Sequence, residues 1–258
     1  MNNPILSVRG VAVHFGGLKA VDGATFEVEE GSVTALIGPN GAGKTTLFNL
    51  ISGAYKPNAG YIFFNSEPIQ DLRSHEIAQR GLVRTFQSAK VIRRISVMEN
   101  MLLAAQSNPG DKLWRLLTPR VRKNFESEAR VKAMDLLQQV GLASMHGDFA
   151  GILSGGQRKL LDLARALMAN PKMLLLDEPF AGVNSALVEK LLEVLKSLRS
   201  RGDLSFLFVE HDLEAVMNLS DKVVVMAQGR VIAEGKPDGI YDNEVVVEAY
   251  LGSRKRGG

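Results

Sequence analysis

The chain has 258 residues, 45% hydrophobic and 23% charged, with a formal net charge of +3; this is globular material, large enough for one big core or two lobes, and it excludes a disordered chain. The absence of cysteine excludes disulfides and thiolate metal sites. No apolar run approaches the roughly 20 residues of a membrane helix, and the opening MNNPILSVRG lacks the regions of a signal peptide, so a soluble, cytosolic chain is expected. Basic runs at 91–94 (VIRR), 118–123 (TPRVRK) and 253–258 (SRKRGG) are not interleaved with base-stacking aromatics, so they read as solvated charge and nucleic acid is not an expected partner.

The first thirty residues alternate, as in LSVRGVAVHF and ATFEVEE, with turns at Gly16-Gly17 and Glu30-Gly31, which predicts a small antiparallel piece. SVTALIG (32–38) reads as a fully buried strand and KTTLFNLISG (44–53) as the helix after it, stopped by Gly53. GYIFFNSEPI (60–69) returns to strand character and is expected to rejoin the antiparallel piece. From Val91 to Val140 helix formers dominate, interrupted by Asn108-Pro109-Gly110, and a helical subdomain over about 91–159 follows. A helix after Gly156 runs to Asn170-Pro171, then come the apolar strand MLLLDEP (173–179) and a helix with Leu187, Leu191, Val194, Leu195 and Leu198 on one face, ended by Gly202. LSFLFVEHD and KVVVMAQGRVIAEG supply the last strands. Strands alternating with helices predict an α/β fold with a mostly parallel sheet covered on both faces, in a single domain with a C-terminal extension at 241–258.

GPNGAGKTT, Gly38 to Thr46, matches the full phosphate-loop pattern between a predicted strand and helix. Gly38, Gly41 and Gly43, with Asn40 between, let the backbone aim N–H groups at phosphate oxygens; Lys44 adds a point charge and Thr45 a hydroxyl for Mg²⁺. MLLLDE ends an apolar strand in two carboxylates, and alternation along a strand keeps them from sharing one task. Asp177 is assigned to the Mg²⁺ shell and Glu178 to the attacking water as base. His211, after a strand expected to end at the same edge, is a candidate donor to the γ-phosphate or a structural histidine, and Gln87 a candidate contact to metal or water; His14, His75 and His146 read as structural or exposed. A second glycine-led helix start, SGGQ at Ser154 to Gln157, offers backbone N–H groups to an anion yet lacks a lysine.

With the phosphate loop, Gln87, LSGGQ (Leu153 to Gln157), LLLDEP and His211 in this order, the chain resembles the ATP-binding-cassette ATPases over essentially its whole length. The resemblance implies a RecA-like phosphate-loop cassette that faces a second cassette chain head to tail, with ATP between the phosphate loop of one and the signature of the other. Ser154, Gly155, Gly156 and Gln157 would then bind the γ-phosphate held by a different chain. It also gives Lys44, Thr45 and Thr46 the phosphates and Mg²⁺, and Phe15 the place of the aromatic that stacks on adenine. RTFQ (84–87), AGVN (181–184), an insertion around 106–130 and the ending VVVEAYLG look like the ATPase subunits of importers for branched-chain amino acids and their urea and amide relatives. Two departures stand out: Gly155 where many amino-acid importers carry a larger residue, and Asn184 where many carry aspartate. That family implies two permease subunits, an extracytoplasmic solute-binding protein and a place on the cytoplasmic face of the membrane. The alternative, a soluble ATP-driven clamp or scaffold, fits poorly with a single cassette and a short helical region between the motifs.

Overall fold

The computed structural model describes residues 4–85, 91–106 and 119–254. Two long strands, β1 (Pro4–Phe15) and β2 (Leu18–Glu29), pair antiparallel and are followed by β3 (Val33–Ile37) and helix α1 (Lys44–Ile51). β4 (Ala59–Phe64) then returns beside β1 and turns at Asn65-Ser66 into the short β5 (Glu67–Pro68). The single strand expected over 60–69 is thus a hairpin. Both turn residues take left-handed φ (49° and 64°), the conformation of the tight turns that match strand twist.

The chain continues through α2 (Ser74–Gln79), β6 (Leu82–Arg84), α3 (Val97–Gln106), α4 (Pro119–Gln139), α5 (Gly155–Leu167), β7 (Met173–Asp177), α6 (Ser185–Arg199) and β8 (Ser205–Val209). It ends with α7 (Leu213–Leu219), β9 (Lys222–Ala227), β10 (Arg230–Gly235), α8 (Pro237–Tyr241) and α9 (Glu244–Arg254). The sheets have orders β2-β1-β4-β5 and β10-β9-β3-β8-β7-β6; within the second, only the β9–β10 hairpin is antiparallel.

Alternation along the central strands divides the core in two. Leu36, Met173, Leu175, Leu207 and Val209 face α1 and the antiparallel sheet, where Leu47, Phe48 and Ile51 fill the space between the sheets. Ala35, Ile37, Leu174, Leu176, Phe206 and Phe208 face the opposite layer, which continues without a break into α3, α4, α5 and α6. Burial on both faces is why these strands read as continuous apolar runs. The helices from 97 onward therefore share the sheet's core. Lys132 of α4 fixes the end of α5 by donating to Met168 O (2.9 Å) and Asn170 Oδ1 (2.6 Å).

This topology positions the site. β3, β8 and β7 are neighbours, with Leu36 opposite Val209 and Val209 opposite Asp177, so their carboxyl ends meet at one edge. Open parallel sheets bind ligands at that edge.

Candidate functional site

The loop between β3 and α1 is built by its glycines. A Cβ on Gly38 would sit 2.1 Å from Met226 O, and one on Gly43 2.4 Å from Ala20 O, so both positions exclude side chains; Gly43 also holds φ of 100°. The β9–β10 turn braces the loop from behind, with Gly229 N donating to Ala42 O (3.0 Å) and Asp22 N to Gly229 O (2.8 Å). Lys44, the first residue of α1, folds its ammonium back onto Gly38 O (2.7 Å) and Pro39 O (3.0 Å). Burial pushes this lysine below its usual range, partly countered by the nearby Glu178 carboxylate. An anion arriving in the loop would favour the charged form further.

Lys44 lines an open cleft of about 610 Å³ with Asn40, Gly41, Gly43, Thr45 and Thr46 on one side and Glu178 and His211 on the other. That volume suits a nucleotide-sized ligand. A Cβ at Gly41 would meet nothing, so the loop leaves open space there. Glu178 leaves the end of β7 with a left-handed φ of 49°, which points it away from Asp177 and into the cleft. His211 Nε2 lies 3.2 Å from Glu178 Oε1. An ionised carboxylate only accepts, so the ring nitrogen is the donor in that contact.

Other expected residues lie elsewhere. Gly38 is buried beneath the loop and contributes through its backbone. Asp177 does not line the cleft: its side chain is 5% exposed and its Oδ2 accepts from Arg84 at 2.7 Å. Arg84 also donates to Asn49 Oδ1 (2.6 Å) and Ser52 Oγ (3.1 Å), so one guanidinium ties β6, β7 and the end of α1 together. Phe15 ends β1 outside the cleft lining, 48% exposed, with only an edge contact to Tyr55 (5.5 Å between centroids) among its described ring contacts. Gln87 falls outside the described residues. Among the described residues no group of three or more histidines, cysteines or carboxylates gathers as a metal site. A metal here would take ligands from the Thr45 hydroxyl and from a bound phosphate, a division that suits Mg²⁺.

The signature segment is also separate from the cleft. Ser154 is the N-cap of α5: its Oγ accepts from Gln157 N (3.2 Å) while Gln157 Oε1 accepts from Ser154 N (2.8 Å), a reciprocal capping box. The two glycines divide the remaining work. A Cβ on the exposed Gly155 would meet nothing, so that position stays open to an approaching group, whereas one on Gly156 would sit 1.5 Å from Leu187 Cδ2 and 2.9 Å from Val183 Cγ1. Gly156→Ala is therefore expected to cost about 1–3 kcal/mol by overpacking, seen as a lower melting temperature, while Gly155→Ala leaves that temperature unchanged. Equal effects of the two substitutions would contradict this division.

Three residues of the site's frame escaped the sequence reading: Arg84, Lys159 and Glu210. Arg84 lies within RTFQ and Glu210 within FVEHD; a charged residue at the apolar end of a strand is the local signal that marks them.

The family described as ABC transporter matches residues 21–181, and one described as branched-chain amino acid ATP-binding cassette transporter matches residues 230–255. The chain is 42% identical over 254 residues to the high-affinity branched-chain amino acid transport ATP-binding protein BraF of Pseudomonas aeruginosa, covering 98% of this chain and 99% of the relative. It is 39% identical over 254 residues to the LivG protein of the same description from Escherichia coli K12, with the same coverage. In structure it is similar to an ATP-binding cassette of an ABC transporter in its ADP conformation, with TM-score 0.85, 37% identity, and 97% and 100% of the two chains covered. A nucleotide-free cassette of an ABC transporter gives TM-score 0.82 at 36% identity, covering 96% and 99%. With its phosphate loop, carboxylate and histidine gathered at one sheet edge, the chain belongs to the ABC transporter family as an ATP-binding, ATP-hydrolysing cassette.

Proposed function

We propose that this cassette powers a membrane importer for branched-chain amino acids or related small polar solutes, working as one of two facing chains that close on ATP and reopen after hydrolysis. The observation that carries the two-chain reading is the separation of the open, glycine-led α5 start from the cleft holding Lys44, Glu178 and His211. A signature that cannot reach its own chain's phosphate is suited to a neighbour's. The relatives at about 40% identity and the match at 230–255 support the solute class.

Within the cleft, Lys44 and the loop amides bind phosphate, Thr45 and Thr46 offer hydroxyls, and Glu178 accepts a proton from water while His211 donates toward the terminal phosphate. Mg²⁺, when bound, supplies charge neutralisation between the phosphates. Asp177 is assigned to the metal, for which it would have to exchange its Arg84 partner at 2.7 Å, and Gln87 to the metal or the water. Among the described residues no helix is long and apolar enough to cross a membrane. The reading of this subunit as peripheral to separate permease chains is supported by relatives described as transport ATP-binding proteins.

Phe15 is assigned to adenine from its exposed place at the end of β1. Phe15→Ala should weaken nucleotide affinity by about 0.5–1.5 kcal/mol without lowering the melting temperature; equal affinity for ATP would remove the assignment. For the transport role, the tagged chain extracted from its own cells in mild detergent should bring two permease subunits with it. Recovery of soluble partners alone from fully extracted membranes would overturn it.

A further inference from the structure

The four residues after β7, Glu178 to Ala181, are held by two charged side chains that do not line the cleft. Lys159, in the second turn of the signature helix α5, donates to Glu178 O (3.0 Å), Pro179 O (3.2 Å) and Ala181 O (2.6 Å). Three bonds are the full capacity of an ammonium. From the other side Glu210, 3% exposed, accepts from Phe180 N (2.8 Å) and, through its second oxygen, from His211 N (3.0 Å).

We propose that Lys159 and Glu210 are positioning residues for ATP hydrolysis, a two-sided clamp that fixes the backbone bearing Glu178 and joins it to His211 and to the signature helix. The assignment rests on Glu178 acting as the base.

Several observations separate this from ordinary loop packing. Glu178 is a non-glycine residue held at φ 49°, a conformation that persists only where its surroundings enforce it. Its own carbonyl and those of Pro179 and Ala181 converge on one cation, and the intervening Phe180 amide turns to an anion, so every bond in the clamp is charge-assisted. Both groups bear the cost of burial: Glu210 is pushed above the usual carboxylate range, an effect opposed by the backbone N–H groups it accepts, and Lys159 is pushed below the usual lysine range, with Glu210 and Glu178 countering. The opposite charges support one another across the loop. Lys159 lies five residues after Ser154, so the α5 start offered to one phosphate is tied to the Glu178 backbone beside another.

The test uses the full-length chain with Lys159→Met, Lys159→Arg and Glu210→Gln. Lys159→Met is expected to lower kcat for ATP by about 10²-fold with KM unchanged, and without nucleotide to speed hydrogen exchange of amides 178–184 alone. Lys159→Arg should restore most of kcat, and Lys159→Met should add no loss in a Glu178→Gln background. Glu210→Gln keeps the shape but only one acceptor oxygen; it should lower kcat in the same way and decides the matter if Lys159→Met does not fold. Parental kcat and exchange in both Lys159→Met and Glu210→Gln would overturn the clamp, as would a loss confined to KM. If Glu178→Gln itself hydrolyses at the parental rate, the base assignment falls, and the exchange at 178–184 alone decides whether the clamp holds the loop.

Discussion

Replacing Glu178 by glutamine should reduce ATP turnover by about 10²–10⁴-fold while leaving ATP binding and the melting temperature intact. The substitution preserves volume and an acceptor oxygen for the His211 contact at 3.2 Å, so the cleft keeps its shape. What it removes is basicity toward water. Phosphate binding is assigned to the glycine loop and Lys44 on the other wall, whose contacts the neutral amide leaves in place. Steady-state phosphate release together with nucleotide affinity separates the two effects; undiminished hydrolysis would remove Glu178 from its role.

Arg84→Met should destabilise the protein by about 3–5 kcal/mol, because it leaves Asp177 as a nearly buried carboxylate without its cation and takes donors from Asn49 and Ser52. The pair need not be stabilising for this to hold: breaking a buried ion pair costs more than replacing it whole. Accordingly the double substitution Arg84→Met with Asp177→Leu should recover a large part of the loss in urea denaturation. Arg84→Lys should recover less, since a point charge cannot reproduce a fork that meets three partners. Unfolding of Arg84→Met at the parental urea midpoint would show the contacts to be inconsequential.

Much of this molecule was legible in its residues. The phosphate loop announced itself because glycine, lysine and threonine at fixed spacing answer one physical demand, and the structure shows Gly38 and Gly43 at places where a Cβ collides with carbonyl oxygens. The parallel strands were readable because burial on both faces makes runs such as MLLL, and the α6 face because Leu191, Val194, Leu195 and Leu198 recur at helical spacing. The strand assigned to 60–69 concealed a turn at Asn65-Ser66, where the apolar run masked the two polar residues that bend it. Alternation along the strand gave the correct separation of Asp177 from Glu178 for an incomplete reason; the left-handed φ of Glu178 makes the break. A charge at an apolar strand end marks Arg84 and Glu210, but the partners of Arg84, Lys159 and Glu210 were not legible, because they lie 93, 19 and 30 residues away, respectively. Long-range pairing leaves no local period to read.

Completion of each site by another chain is decided by mixing two defective proteins. One carries Lys44→Ala, the other a signature disabled by Ser154→Arg, both in a Glu178→Gln background, and association in Mg-ATP is followed by analytical ultracentrifugation. If the signature acts on a neighbour's nucleotide, the mixed pair contains one intact composite site, so the mixture associates while neither protein does so alone. If mixing restores nothing although the parental Glu178→Gln chain associates, the phosphate loop and signature do not meet between chains.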